Sequence, residues 1–83
     1  SEFAPAAEFL LGEGYRLRGE PGDDERAVEQ YRRSIETHPD FAPAWSALGR
    51  VDSRRGDRQL ALEHLERFVT LAPTAREAGF ARQ

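Results

Sequence analysis

Arg50 and Arg54 stand four residues apart. On a helix that spacing projects both guanidinium groups from one face. Each is a planar, permanently charged fork of N–H donors, and two such forks side by side suit a carboxylate or an acidic chain terminus. The chemistry they offer is recognition of an anion rather than bond-making. The plainer alternative is a solvated helix face, with arginine present only because the chain uses no lysine.

Other chemistry is harder to assemble. His38 and His64 are the two histidines, and cysteine is absent. His38 precedes a proline, and His64 lies between Glu63 and Leu65 on a helical pattern. No second histidine or thiol stands at metal-ligand spacing, and no serine is arranged with either ring as in a catalytic triad. Both histidines read as surface residues. Asp23-Asp24-Glu25 lacks the spacing of a calcium loop, while a helix N-terminus attracts acidic groups through its dipole. Helix capping by Asp23 or Asp24 is the expectation there.

The elements that position these residues follow from an internal repeat. Gly22, Asp23, Ala27, Tyr31 and Pro39 recur 34 residues later as Gly56, Asp57, Ala61, Leu65 and Pro73. Upstream, Leu11-Gly12 recurs 37 residues later as Leu48-Gly49, so three extra residues fall around Gly19-Glu20-Pro21-Gly22-Asp23. Pro-Gly is a turn dipeptide and accommodates them. A first helix is predicted from Pro5 to about Arg18, with Leu10, Leu11, Gly14, Tyr15 and Leu17 as its buried stripe. A second runs from about Asp24 to Thr37, burying Ala27, Val28, Tyr31 and Ile35, and ends at His38-Pro39. The third follows Pro43 and ends at Gly56, with Trp45 and Leu48 inward and Gly49 admitting a close neighbour. The fourth runs from about Arg58 to Leu71, capped by Asp57, with Ala61, Leu65, Phe68 and Ala72 on one face. Thr74-Ala75-Arg76-Glu77 has the form of a capping box and predicts a fifth, truncated helix, with Phe80 able to cover the end of the second unit.

Ala44-Trp45-Ser46-Ala47-Leu48-Gly49, followed by Gly56-Asp57, Ala61, Leu65, Phe68 and Pro73, resembles the tetratricopeptide repeat family. Its unit is a helix–turn–helix of about 34 residues carrying a W-x-x-L-G, A, F/Y, P pattern. Leu11-Gly12-Glu13-Gly14-Tyr15 matches the first unit. One departure is Asp52, where the family has an aromatic residue. Its candidate partners are Arg76 and Arg82 of the truncated helix, with exposure where a third repeat is missing as the alternative; a buried unpaired carboxylate is costly, so a partner or water is expected. The resemblance implies an all-α, right-handed stack of two tandem repeats. These are 4–39, with its lengthened turn, and 40–73, followed by a C-terminal capping helix over 74–83.

The resemblance also implies a concave groove that binds a protein or peptide partner. It places Phe9, Glu13 and Arg16 in that groove from the first repeat, and Ser46, Arg50, Ser53 and Arg54 from the second. Phe9 would be an aromatic anchor, with packing beneath its own N-terminal turn as the alternative. One subgroup of the family binds acidic chaperone tails through a clamp of lysine and asparagine. This chain has neither residue type, and Ala47 at the matching position cannot donate.

Composition limits the remaining choices. With 83 residues, 39% hydrophobic and 33% charged, this is one small helix-compatible domain. No apolar run is long enough to cross a bilayer. The net charge of −3 is uneven, −5 over residues 1–29 and +2 over the rest. Overall acidity opposes nucleic-acid binding. A charge asymmetry of this kind can orient a partner or favour head-to-tail self-association, with ordinary solvated helix faces as the plainer reading. The absence of Lys, Asn and Met suggests a GC-rich, bacterial coding sequence and a piece of a larger protein. Ser1-Glu2-Phe3 reads as a cloning remnant. The cytoplasm is the expected compartment, with the periplasm as the alternative.

The sequence therefore predicts a non-catalytic protein–protein interaction module without a cofactor. Its alternatives are a structural accessory segment of a larger bacterial enzyme, such as a metalloprotease, and a homo-oligomerisation module.

Overall fold

Four helices account for nearly all of residues 4–72, the part of the chain described by this computed structural model. Helix α1 spans Ala4–Arg18, α2 Asp23–Thr37, α3 Ala42–Arg54 and α4 Arg58–Leu71. No strand occurs among the described residues, and the chain is all-α there. No helix of the described part is long and apolar enough to cross a membrane. The helix predicted over 74–83 lies outside the described residues.

The local chemistry explains the boundaries. Pro5 occupies the first turn of α1, where a backbone donor has no intrahelical acceptor to lose. Helix α2 ends at Thr37; the N–H of its C-cap His38 bonds Ser34 O at 3.0 Å, and Pro39 follows. Pro43 lies inside the first turn of α3 rather than ahead of it. Asp57 caps α4, its carboxylate accepting from the Leu60 N–H at 3.2 Å. Gly22 and Gly56, 34 residues apart, both adopt left-handed backbone in the turns before α2 and α4.

Those turns connect two helical hairpins, α1 with α2 and α3 with α4, and α2 packs on α3. The three extra residues of the first hairpin are shared out. Compared with its counterpart, α1 continues one residue further, the turn is one residue longer, and α2 begins one residue earlier.

The core lies where α2 meets α3. Ala27, Val28 and Tyr31 from α2 pack with Ala44, Ala47, Leu48 and Val51 from α3, while Phe9, Tyr15, Ile35 and Phe41 close its edges. The Phe9 ring sits 5.9 Å from Tyr31 and 5.8 Å from Phe41, centre to centre. Helix α1 contributes little bulk, burying only Pro5 and Gly12. A buried hydroxyl fixes its start: Ser34 Oγ donates to Pro5 O at 2.7 Å. Each hairpin closes over a glycine. A Cβ on Gly12 would lie 2.6 Å from the Tyr31 ring, and one on Gly49 would lie 2.6 Å from Leu65.

Two expected faces are corrected. Leu10, Leu11, Gly14 and Leu17 form a stripe, but it points away from the core and is exposed, Leu10 by 64% and Leu17 by 73%. The side of α1 that meets α2 carries Pro5, Phe9 and Gly12 instead, because only Gly12 leaves room for the Tyr31 ring. On α4, Ala61 is buried and Phe68 and Ala72 are half-buried, whereas Leu65 stays exposed on its outer side. Trp45, expected inward, is half-buried beside α4, and its Nε1 donates to Pro39 O at 2.8 Å.

The glycines make a paired test. Gly12→Ala drives a methyl into a fully buried ring and to 3.2 Å from the Ala27 carbonyl, and should destabilise by about 1–3 kcal/mol. Gly14 has open space around it, so Gly14→Ala should stabilise by about 0.5–1 kcal/mol through helix propensity alone. Urea unfolding of the two variants against the parent measures both, and equal effects would refute this account of the α1–α2 contact.

Candidate functional site

Glu13 is the residue around which the polar face of α1 and α3 is organised. Its carboxylate takes a bidentate pair from Arg16, at 3.1 and 2.8 Å, and a bond from Arg50 Nη2 at 3.1 Å. It also accepts the Tyr31 hydroxyl. The side chain is 19% exposed, so these donors replace much of its water. The Arg16 hydrogen bonds hold its carboxyl below the usual range against the opposing effect of burial. Tyr31 responds in the other direction: burial, then the adjoining carboxylate, push its phenol up to about 12.

The other basic residues of α3 reach across to the first hairpin as well. Arg54 Nη2 bonds Asp24 at 2.6 Å, and Arg55 Nη2 bonds Glu25 at 2.8 Å. Arg50 and Arg54 are each about half exposed, 50% and 48%. Each uses one nitrogen of its guanidinium in these contacts.

Of the residues expected to line a groove, Glu13, Arg16 and Arg50 are brought together. Arg54 stands apart with Asp24. Phe9 is half-buried among Tyr31 and Phe41. Ser46 is half-buried and Ser53 exposed. The arginines do not form one joint fork in the structure; a separate acid engages each.

Two further clusters carry charge. Asp23 caps nothing with its side chain, contrary to expectation; the α2 N-cap is Gly22. The Asp23 carboxylate is buried and binds Arg18 through two bonds of 2.8 Å, Arg26 at 2.9 Å and the Glu20 N–H at 3.0 Å. Arg18 and Asp23 are the residues by which the first hairpin exceeds the second at the helix ends, so the lengthened turn is clasped by its own additions. The Arg18 hydrogen bonds are the main reason the Asp23 carboxyl lies far below the usual range.

The second cluster corrects the reading of His64 as a surface residue. Its ring is largely covered and pairs through Nδ1 with Asp52, which is buried. Trp45 lies beside it, ring centres 5.7 Å apart, with Arg67 on the indole at 5.8 Å. Asp52 thus has a partner, as its burial demands, and that partner is His64 of α4; Arg76 and Arg82, the candidates from sequence, lie outside the described residues. A 12-residue separation across two helices gives no periodic signal, so spacing alone did not reveal the pair. Among the described residues no group of His, Cys, Asp and Glu could hold a metal ion.

The chain matches no protein-family model, and no curated protein matches it.

The shifted groups fix the pH dependence of stability. Asp23 and Glu13 have lowered native values, so their contribution is complete above the ordinary carboxylate range near pH ~4 and is lost as pH falls below it. Tyr31 is raised from 10.0 to about 12, so its contribution is complete below the ordinary phenol value and is lost as pH rises through that interval. Asp23→Asn should flatten the acid limb of a urea-midpoint profile, and Tyr31→Phe the alkaline limb. A parent profile unchanged at both extremes would contradict the assignment.

Proposed function

We infer that this chain is a non-catalytic interaction module built from two tandem helical repeats of tetratricopeptide type, and that it binds a protein segment bearing carboxylates. The repeat reading is supported by equivalent hairpins: Gly12 receives Tyr31 as Gly49 receives Leu65, and left-handed Gly22 and Gly56 precede α2 and α4. It is supported equally by the quoted sequence pattern. Stacked units of this kind offer surfaces to partners, while fold alone assigns no partner.

One observation carries the binding reading. Arg50 and Arg54 are held in place on α3 by Glu13 and Asp24, yet each keeps guanidinium nitrogens outside that contact. Arginine bound by one nitrogen is restrained in direction and still has donors to offer, so an incoming carboxylate meets a partly ordered site. Ser46 and Ser53 lie on the same helix and supply neutral hydroxyls. Phe9, packed with Tyr31 and Phe41, supports the face from beneath in this reading. No cofactor takes part.

The test is a titration of a short acidic peptide with a free C-terminus, followed by Trp45 fluorescence and by anisotropy of a labelled peptide. Glutamine is the informative replacement, since glutamate at these positions would face Glu13 and Asp24 and disturb the fold by repulsion. Arg50→Gln with Arg54→Gln should weaken binding by about tenfold or more, as loss of charged hydrogen bonds implies. Helicity should be retained. Equal affinity of parent and variant, or no saturable binding by the parent, would overturn the reading.

A further inference from the structure

Two apolar stripes have nothing packed on them among the described residues. On α1, Ala7, Leu10, Leu11, Gly14 and Leu17 face outward at helical spacing. On α4, Leu62, Leu65 and Val69, with Glu66 and Thr70, line an open trough of about 490 Å³. A single exposed leucine needs no explanation, but a continuous apolar stripe does.

The internal repeat identifies both stripes. A shift of 37 residues carries Ala7, Leu10, Leu11 and Gly14 onto Ala44, Ala47, Leu48 and Val51, the face of α3 that the core buries completely or nearly so. A shift of 34 carries Val28, Tyr31 and Ile35 of α2 onto Leu62, Leu65 and Val69 of α4. The outer side of α1 is therefore the counterpart of the α3 half of the core, and the trough of α4 that of the α2 half. The chain carries the two halves of its own inter-hairpin contact at opposite ends.

We propose that the α1 stripe of one copy seats in the α4 trough of another, so that the α2–α3 contact is continued from chain to chain. This rests on the repeat reading of the hairpins and makes no use of peptide binding. The charges agree with it. Inside the chain the contact is bordered by Arg50–Glu13, Arg54–Asp24 and Arg55–Glu25. The same shifts bring Glu13 of the incoming copy towards Arg50, Leu17 towards Arg58 and Arg18 towards Gln59, so no like charges meet at these three positions.

Residues 73–83 follow α4 directly and are the rival occupant. Carried 34 residues on, Ala44, Ala47 and Leu48 become Ala78, Ala81 and Arg82, which puts a charge where the core has its leucine. Helix α1 offers Leu11 at that position and is the better counterpart. A single head-to-tail contact also covers both stripes. Because the contact is heterologous, each added copy leaves an unused trough and an unused stripe, and the assembly grows with concentration unless it closes into a ring.

Sedimentation of the full chain through the micromolar into the millimolar range tests this, together with Leu11→Arg and Leu62→Arg. Both side chains are about half exposed, 49% and 53%, so circular dichroism should report unchanged helicity. The average mass of the parent should climb beyond that of a dimer, and each variant alone should stay a monomer. An equimolar mixture of the variants should form a one-to-one dimer and stop there, because each partner keeps one intact surface. A parent that remains monomeric throughout would overturn the proposal, as would Leu62→Arg alone still associating, or a mixture that fails to pair. The peptide titration, run where the chain is monomeric, reads out separately, so failure of one leaves the other intact.

Discussion

Tyr31 occupies the centre of the molecule only because residue 12 has no side chain. Its ring lies against the Gly12 backbone on one side and the α3 residues on the other, and it is fully buried. Burial of a phenol requires a partner for its hydroxyl, and that partner is Glu13, the neighbour of the glycine. The same carboxylate then holds Arg16 on its own helix and Arg50 on α3. Close helix approach, aromatic core and polar face thus depend on one pair of adjacent residues, the first absent as a side chain and the second present as an acid.

The second hairpin relaxes each of these conditions. Leu65 takes the place of Tyr31 against Gly49, and it has no hydroxyl to satisfy and an exposed outer side. Arg50 stands at the counterpart of Glu13, with the opposite charge. Asp52 stands at the counterpart of Tyr15, and the loss of the aromatic is answered by His64, which fills the position equivalent to Gln30. Tyr15 meanwhile carries Arg18 on its ring at 5.5 Å. The two hairpins therefore share a backbone solution and differ in how each satisfies the polar groups that it buries.

Much of this was legible in the residues. Boundaries set by local chemistry could be read directly: Asp57 as the α4 cap, His38-Pro39 as the end of α2, Gly49 as the site of close approach. The outward face of α1 could not, because Pro5, Phe9 and Gly12 have helical period just as Leu10, Leu11, Gly14 and Leu17 do, and periodicity cannot say which set faces a neighbour. The turn at Gly19–Asp23 was visible as extra length, but not that its acid would be buried between Arg18 and Arg26. Pairs such as Asp52–His64 and Arg54–Asp24 join different helices at separations fixed by packing. Single-sequence spacing holds no information about them. For the candidate site, the residue types on α3 were legible and their acidic partners on α1 and α2 were not.

Those partners change what the basic face means. Half-exposed ion pairs contribute little to stability, about 1 kcal/mol or less each, so Arg50, Arg54 and Arg55 are weak fasteners between the hairpins. Their stronger effect is on direction. An arginine whose terminal nitrogen is engaged loses much of the rotamer freedom that a ligand would otherwise have to freeze. A carboxylate approaching the remaining donors need not displace Glu13 or Asp24, although their negative charge opposes it at close range. Net attraction then depends on how many donors the newcomer reaches at once, which favours a bidentate carboxylate over a diffuse negative charge. On the proposed reading, an intramolecular acid beside each arginine would act as a filter: it would lower affinity for anions in general and leave the geometric preference of the guanidinium intact.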